Sequence, residues 1–378
     1  MNTELFTWHT QSKALCDFNQ GLNLALDSGS KSLLILTCYD NNYPQTQLSK
    51  ELSNCPAVIF GGIYPMLILQ DTLIKTGALI IGFAEKFDVT VFSQLHEITK
   101  TSDLEDLVTS TLTKQNNFYG QDSFLMFYDA LLNNIERFID TLFECLDHNI
   151  TIAGGGAGNL EFTQQPCIFS NQGIHTNTVL LVTLPTKIST GVAHGWRIFQ
   201  GPLLVSDAEQ QTLKSLNYQP ALDVYRQAIE SYSDSIFNDD NFFDIAKHFP
   251  LGIEDINNKL IVRDPILAQQ NSIQCAGEVP INSLVYLLES DAETLISSAE
   301  QAAIAIFSSS QQINSASMIF DCISRVLYLG DNFDKELNII AKHCNTEALF
   351  GVLSLGEIAN SPSGSIQLLN KSTVISSW

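Results

Sequence analysis

The chain has 378 residues, 45% apolar and 16% charged, a globular composition with length for two or three domains. Its 41 acidic residues against 19 basic ones give a formal charge of −22, which repels a phosphate backbone and an anionic membrane surface, so neither nucleic acid nor membrane is expected as a partner. No stretch reaches the roughly 18 uncharged apolar residues of a spanning helix.

The opening MNTELFTWHTQSKALCDFNQ has neither the basic start nor the apolar run of a secretory leader, so a cytoplasmic protein without membrane insertion is expected. Residues 1–29 read as a lead-in. From residue 32 the chain runs SLLILTCYD as a strand, a helix over 46–53, AVIFGGIYP as a strand into a glycine turn, then GALIIGFAE and VTVFSQL as strands. The same order recurs from residue 123: SFLMFYDAL, a helix over 132–146, TIAGGGAGN, TVLLVTLP and ISTGVAHG. A mainly helical stretch follows. PALDVYRQAIESYSDSI and DAETLISSAEQAAIAIFSSS show helical spacing, the second starting from an aspartate N-cap. Between them KLIVRDPILAQQNSIQCAGEVPINSLVYLLES reads as strands joined by Asp-Pro and Val-Pro turns. A looser third copy of the unit covers 316–377, with ASMIFDCISR, the helix DKELNIIAKHC, LFGVLSLGEIANSP and SIQLLNKSTVISS.

In every copy the first strand ends near an aspartate (Asp40, Asp129, Asp321), read as an N-cap of the next helix. Strand, helix and strand in that order predict parallel pairing, and the strands that follow return antiparallel. The expected fold is therefore α/β, with mixed β-sheets built from repeated strand-helix-strand units flanked by helices, in two domains.

The glycine run IAGGGAGNL lacks the lysine and hydroxyl residue of a phosphate loop and does not fit GxGxxG followed by an acidic ribose ligand. Gly154, Gly155 and Gly156 then serve either close packing at a strand exit or, with Asn159, contact with a ligand. His194, flanked by Trp196 and Arg197, is either an axial haem ligand or ligand donor, or a histidine held at a domain junction. His9, His96, His148, His175, His248 and His343 show no metal-ligand spacing, and the eight cysteines contain no CxxC pair, so reduced thiols and no metal site are expected.

Cys322 and Arg325 are placed on the strand FDCISR, and Glu357 follows the glycine of LSLGEI. A lone buried charge is costly, so Arg325 and Glu357 either pair with each other or Arg325 clamps a ligand carboxylate. Cys322 is disfavoured as a nucleophile for want of a nearby histidine. There is no GxSxG and no evident carboxylate pair, so no catalytic residue is assigned, and an enzyme of unknown chemistry would have left no signature.

The run HGWRIFQGPLLVSDAE followed by LNYQPALDVYRQAI resembles the junction of the FIST N-terminal and FIST C-terminal domains, found in bacterial intracellular signal-transduction proteins and some eukaryotic F-box proteins. IFGGIYP, AGGGAGN, VRDPI, FDCISR, GVLSLGEIANSP and LLNKSTV extend the resemblance over roughly residues 30–377. It implies an N-terminal domain at 30–215 holding the first two units and a C-terminal domain at 216–378. It also implies a sensory module that binds a small ligand, an amino acid or related metabolite, without needing a cofactor. With no output domain before Trp378, the signal would pass to a separate partner. Some members resemble haem proteins that sense nitric oxide and control a histidine kinase, which makes His194 the haem-ligand candidate. On the resemblance, Gly154, Gly155, Gly156, Asn159, His194, Trp196, Arg197, Cys322, Arg325 and Glu357 form the candidate ligand-binding set. A pure protein-contact scaffold is the remaining reading.

Overall fold

In the computed structural model, which describes residues 5–114, 123–146, 150–238, 240–255, 258–307, 314–344 and 346–378, three six-stranded sheets repeat one strand order. His148 lies outside the described residues. Each sheet is built round a parallel pair: Ser32–Cys38 with Val58–Tyr64, Ser123–Asp129 with Thr151–Ala157, and Asn314–Cys322 with Thr346–Ser354. The helices Gln45–Asn54, Ile135–Cys145 and Phe333–His343 make the parallel crossovers. Return strands Ala78–Phe83, Val179–Thr183 and Thr373–Ser377 run antiparallel beside the first strand of each pair. Outer strands Phe6–Thr10, Asp88–Phe92 and Ser189–Ala193 complete that side.

Between its parallel pair and its return strand each unit extends a short hairpin, and each hairpin joins another unit's sheet. Leu67–Leu69 and Thr72–Ile74 add to Thr346–Ser354 of the third unit. Ile168–Ser170 and Gly173–His175 add to Val58–Tyr64 of the first. Glu357–Asn360 and Ile366–Leu369 add to Thr151–Ala157 of the second. The exchange therefore closes a ring of three.

The inner faces of the sheets share one core. Phe60, Phe127 and Phe320, one from each unit, are fully buried with ring centroids 5.8 and 5.9 Å apart. Each ring removed from water contributes on the order of 2–3 kcal/mol. The outer faces are covered by helix pairs: Leu15–Asp27 with Gln45–Asn54, Thr101–Lys114 with Ile135–Cys145, and Ala292–Phe307 with Phe333–His343. With both faces covered, the central strands carry unbroken apolar runs. No described helix is long and apolar enough to cross a membrane.

Gly61, Gly154 and Gly351 occupy equivalent places in the three parallel pairs. A Cβ there would lie 2.1, 2.4 and 2.3 Å from the carbonyl oxygens of Ile35, Met126 and Ile319, the residues directly across the ladder. Those oxygens belong to backbone that cannot swing aside. Gly154→Ala is therefore expected to cost about 1–3 kcal/mol, read as a lowered urea midpoint. An unchanged midpoint would show that the strands separate freely.

The stretch between the second and third units is mainly strand, not mainly helix. Arg197–Glu209, Thr212–Leu216, Gln219–Pro220, Leu251–Glu254, Leu260–Gln269, Ser272–Ala276 and Leu284–Glu289 form a seven-stranded antiparallel sheet. Arg197–Glu209 pairs on one side with Leu284–Glu289 and on the other with Thr212–Leu216, which curls the sheet into a barrel. The helices Ala221–Tyr232 and Phe242–Ala246 pack into its core. Helical periodicity at 221–232 dominated the sequence pattern, while register shifts at both borders of the long strand broke its alternation. Asp264-Pro265 makes no turn: it lies inside a strand at a register shift, where a missing N–H is tolerated, and the chain reverses at Gln270–Asn271, both at positive φ.

Asp291 does cap the helix Ala292–Phe307, accepting the Thr294 N–H at 2.8 Å. The three strand-end aspartates do not cap. Asp129 accepts the Leu131 N–H at 3.1 Å, the Gln164 side chain at 2.6 Å and the Asn177 N–H at 2.6 Å. Asp321 faces Arg325, and Asp40 sits exposed in a one-turn 3₁₀ helix with no side-chain cap.

Candidate functional site

A cavity of about 150 Å³, partly open to solvent, lies at the carboxyl ends of Ser32–Cys38 and Val58–Tyr64. That is where open α/β sheets place ligands, because crossover turns diverge there. Its walls come from two units. The first supplies Cys38, Tyr39, Asn42, Tyr43 and Gln45; the glycine exit and hairpin approach of the second supply Gly158, Asn159, Gln165 and Cys167. Asn42 at φ 52° turns the chain so that Tyr43 and Gln45 come round to the cavity. Asn159 is fixed by accepting the Glu161 and Thr163 N–H groups at 3.0 and 3.3 Å and donating to the Thr163 carbonyl at 2.8 Å. The Tyr39 hydroxyl donates to Glu161 Oε2 at 3.2 Å and accepts from Gln165 Nε2 at 3.3 Å.

The Tyr43 hydroxyl is buried and makes no hydrogen bond. Its ring rests 5.8 Å from Phe18 and lines the cavity, while the hydroxyl itself is closed off from the open space. Such a group costs about 1–3 kcal/mol unless something satisfies it. Burial, then the charge of Asp40, pushes the Cys38 thiol up to about 12, and burial also raises Cys167, so neither thiol of the wall is an activated nucleophile.

A second polar region is solid. Arg325 lies on the helix Ile323–Leu329, not on the strand, and is fully buried. Its guanidinium grips Glu336 through Nε at 3.0 Å and Nη2 at 2.5 Å, lies 3.4 Å from Asp321, and donates to the carbonyls of His194 and Leu295, each at 2.9 Å. Burial, reinforced by Glu336, holds the Asp321 carboxyl far above its ordinary range. The acidic partners of Arg325 are thus Glu336, which the sequence did not single out, and Asp321, read there as a helix cap, and not Glu357.

Glu357 accepts from Ser354 Oγ at 2.7 Å and from the Ser372 N–H at 3.3 Å. Burial lifts its carboxyl to about 8 against those bonds. Cys322, beside it, is buried and its thiol is raised by burial and then by Glu357. Lys371, fully buried, stands 3.1 Å from Asp264 Oδ1 and 5.3 Å over the Trp196 ring. Arg263 bonds Glu136 at 2.6 Å, so the two charged residues of VRDPI, Arg263 and Asp264, tie the barrel to the second and third units respectively.

The remaining candidates divide accordingly. Trp196 is buried, donating through Nε1 to the Lys371 carbonyl at 3.3 Å. Arg197 is exposed and pairs with Glu289 at 3.2 Å and Asp291 at 3.4 Å. Gly155 and Gly156 are packed against Phe320, Ser354 and the Leu355 carbonyl, at 2.6, 2.9 and 2.9 Å from where a Cβ would sit. His194, Trp196, Cys322, Arg325 and Glu357 therefore meet in the solid region with Lys371, while Asn159 lines the cavity. Tyr39, Asn42, Tyr43 and Gln165 were missed, and the polar run NNYPQTQ directly after an apolar strand was the available signal.

Burial, then Arg325, lowers His194 to about 4, so its ring is neutral at pH 7. Its Nδ1 accepts the Trp196 N–H at 2.9 Å, which places the proton on Nε2, the nitrogen that would have to bind iron. In haem-type ligation the other ring nitrogen carries the proton and donates it. The residues round His194 do not fit an axial haem ligand. Among the described residues no group of three or more histidine, cysteine, aspartate or glutamate side chains could hold a metal ion.

Comparison with protein families finds a FIST N domain over residues 32–219 and a FIST C domain over residues 221–360. No curated protein matches the chain.

Proposed function

The chain belongs to the FIST family, whose domains serve signal transduction as sensory modules, and from this we propose that it binds a small metabolite in the cavity beside Tyr43 and signals to a separate partner protein. Metabolites related to amino acids are the class to try first. The observation that carries this reading is a cavity at the carboxyl ends of parallel strands, walled by the phenol of Tyr39 and the carboxamides of Asn42, Asn159 and Gln165. A ligand bridging Tyr39 and Gln165 would bond polar groups of both units. Because the two walls come from different units, a ligand would also tighten the first unit against the second.

The test is a pair of thermal melts with Gln165→Leu. Without ligand the variant is expected to stay within about 1 kcal/mol of the parent, since it loses one hydrogen bond, to the Tyr39 hydroxyl. A compound at 100 times its Kd should stabilise the parent by about 2.7 kcal/mol and the variant by clearly less. If no compound of a broad metabolite panel shifts the parent, the ligand reading fails.

A further inference from the structure

We propose that the cavity accepts an uncharged hydrogen-bonding molecule about the size of a single substituted ring, an amide and not a carboxylate. The inference rests on the ligand-site reading above and narrows it. A void of about 150 Å³ holds one ring the size of benzene, with room for a substituent only toward the open side. Its polar wall is made of phenols and carboxamides: Tyr39, Tyr43, Asn42, Gln45, Asn159 and Gln165. These offer both donors and acceptors but no charge, and no residue of the lining is charged.

A carboxylate brought into this wall would lose water without gaining a cation, which is the costly arrangement. The charges just behind the wall make it worse. Asp40 acts on Cys38, Asp17 on Tyr43, Glu161 on Tyr39 and Asp129 on Cys167, against Lys13 alone on the basic side. One element favours an anion, the N-terminus of the helix Gln45–Asn54, whose free N–H groups carry about half a unit charge. Glu161 alone opposes it with a whole one, bonded to a wall residue. The donors and acceptors of an amide, by contrast, match a wall in which the side chains of Asn42, Gln45 and Gln165 can both give and accept.

Matched pairs that differ only in charge separate the possibilities: benzamide against benzoate and propionamide against propionate, titrated into the parent and Gln165→Leu and followed by thermal shift. The expected result is a rise in melting temperature with the amides only, with binding about ten-fold weaker in the variant, one hydrogen bond's worth. Carboxylates shifting the parent as strongly, in a Gln165-dependent way, would overturn the charge selection and leave the ligand site standing. Benzylamine shifting it where benzamide does not would overturn it too, by showing that the acidic surroundings dominate. No shift from any of these probes, nor from the broader panel, would sink both the selection and the site.

Discussion

Replacing Arg325 by methionine lowers the stability of the protein by about 3–5 kcal/mol, the range for removing one member of a fully buried ionic network. The guanidinium supplies the only charge that balances Glu336 and Asp321 within bonding distance among the described residues, and all three side chains have no exposed surface. It also satisfies the His194 and Leu295 carbonyls. The methionine leaves those acceptors and the Glu336 carboxyl without their donor inside the core. Adding Glu336→Leu to the variant should return more than half of the loss, because two apolar side chains replace a broken pair. Denaturant melts of parent, single and double variants measure this. A single variant that melts with the parent yet loses its response to ligand would instead show that Arg325 is a clamp.

Raising the pH from 5 to 8 destabilises the parent, and Glu357→Gln removes much of that dependence. The folded Glu357 carboxyl holds its proton up to about pH 8, whereas the unfolded one releases it near 4.5. Between those values the folded state carries the extra proton, so its contribution is full below about 4.5 and is lost as the pH rises through 8. The slope approaches about 1.4 kcal/mol per pH unit in mid-window. His194 works in the opposite sense: lowered to about 4, it stays neutral in the fold and costs stability as the pH falls from 6.5 toward 4. Together they set a stability maximum on the acid side of neutrality. Thermal melts from pH 4 to 8.5 should show the alkaline limb flattened in the glutamine variant and the acid limb retained. Parallel curves for parent and variant would refute the assignment.

The repeated unit was legible because its signals are local. SLLILTC, SFLMFYD and the apolar part of ASMIFDC are runs that only a doubly covered strand tolerates, and each precedes a crossover helix with helical spacing. The family showed through the same segments. The barrel was hidden because its long strand is partly exposed and bulged, and because one good helix drew the pattern. The site was only half legible for a different reason. That Arg325 needed partners followed from charge, but Glu336, eleven residues on, and Asp321, four residues back, are selected by how a short helix turns after the strand. Tyr43 escaped notice because nothing in its neighbourhood of the sequence says that its hydroxyl will lack an acceptor. The glycine run resolved toward packing: Gly155 faces the Phe320 ring of another unit, a contact no local pattern encodes.

The ring of exchanged hairpins has a consequence for how the chain is made. The hairpin 67–74 is synthesised early, but the strand it pairs with, Thr346–Ser354, is among the last, and the second sheet likewise waits for Glu357–Leu369. At translation rates of about 5–20 residues per second that delay is on the order of tens of seconds. Throughout it the hairpin 67–74 and the edge of Thr151–Ala157 stay unpaired, although the first sheet, with all its strands within residues 6–175, has them all much earlier. The second and third sheets, and with them the ring, therefore close only when nearly all of the chain has been made.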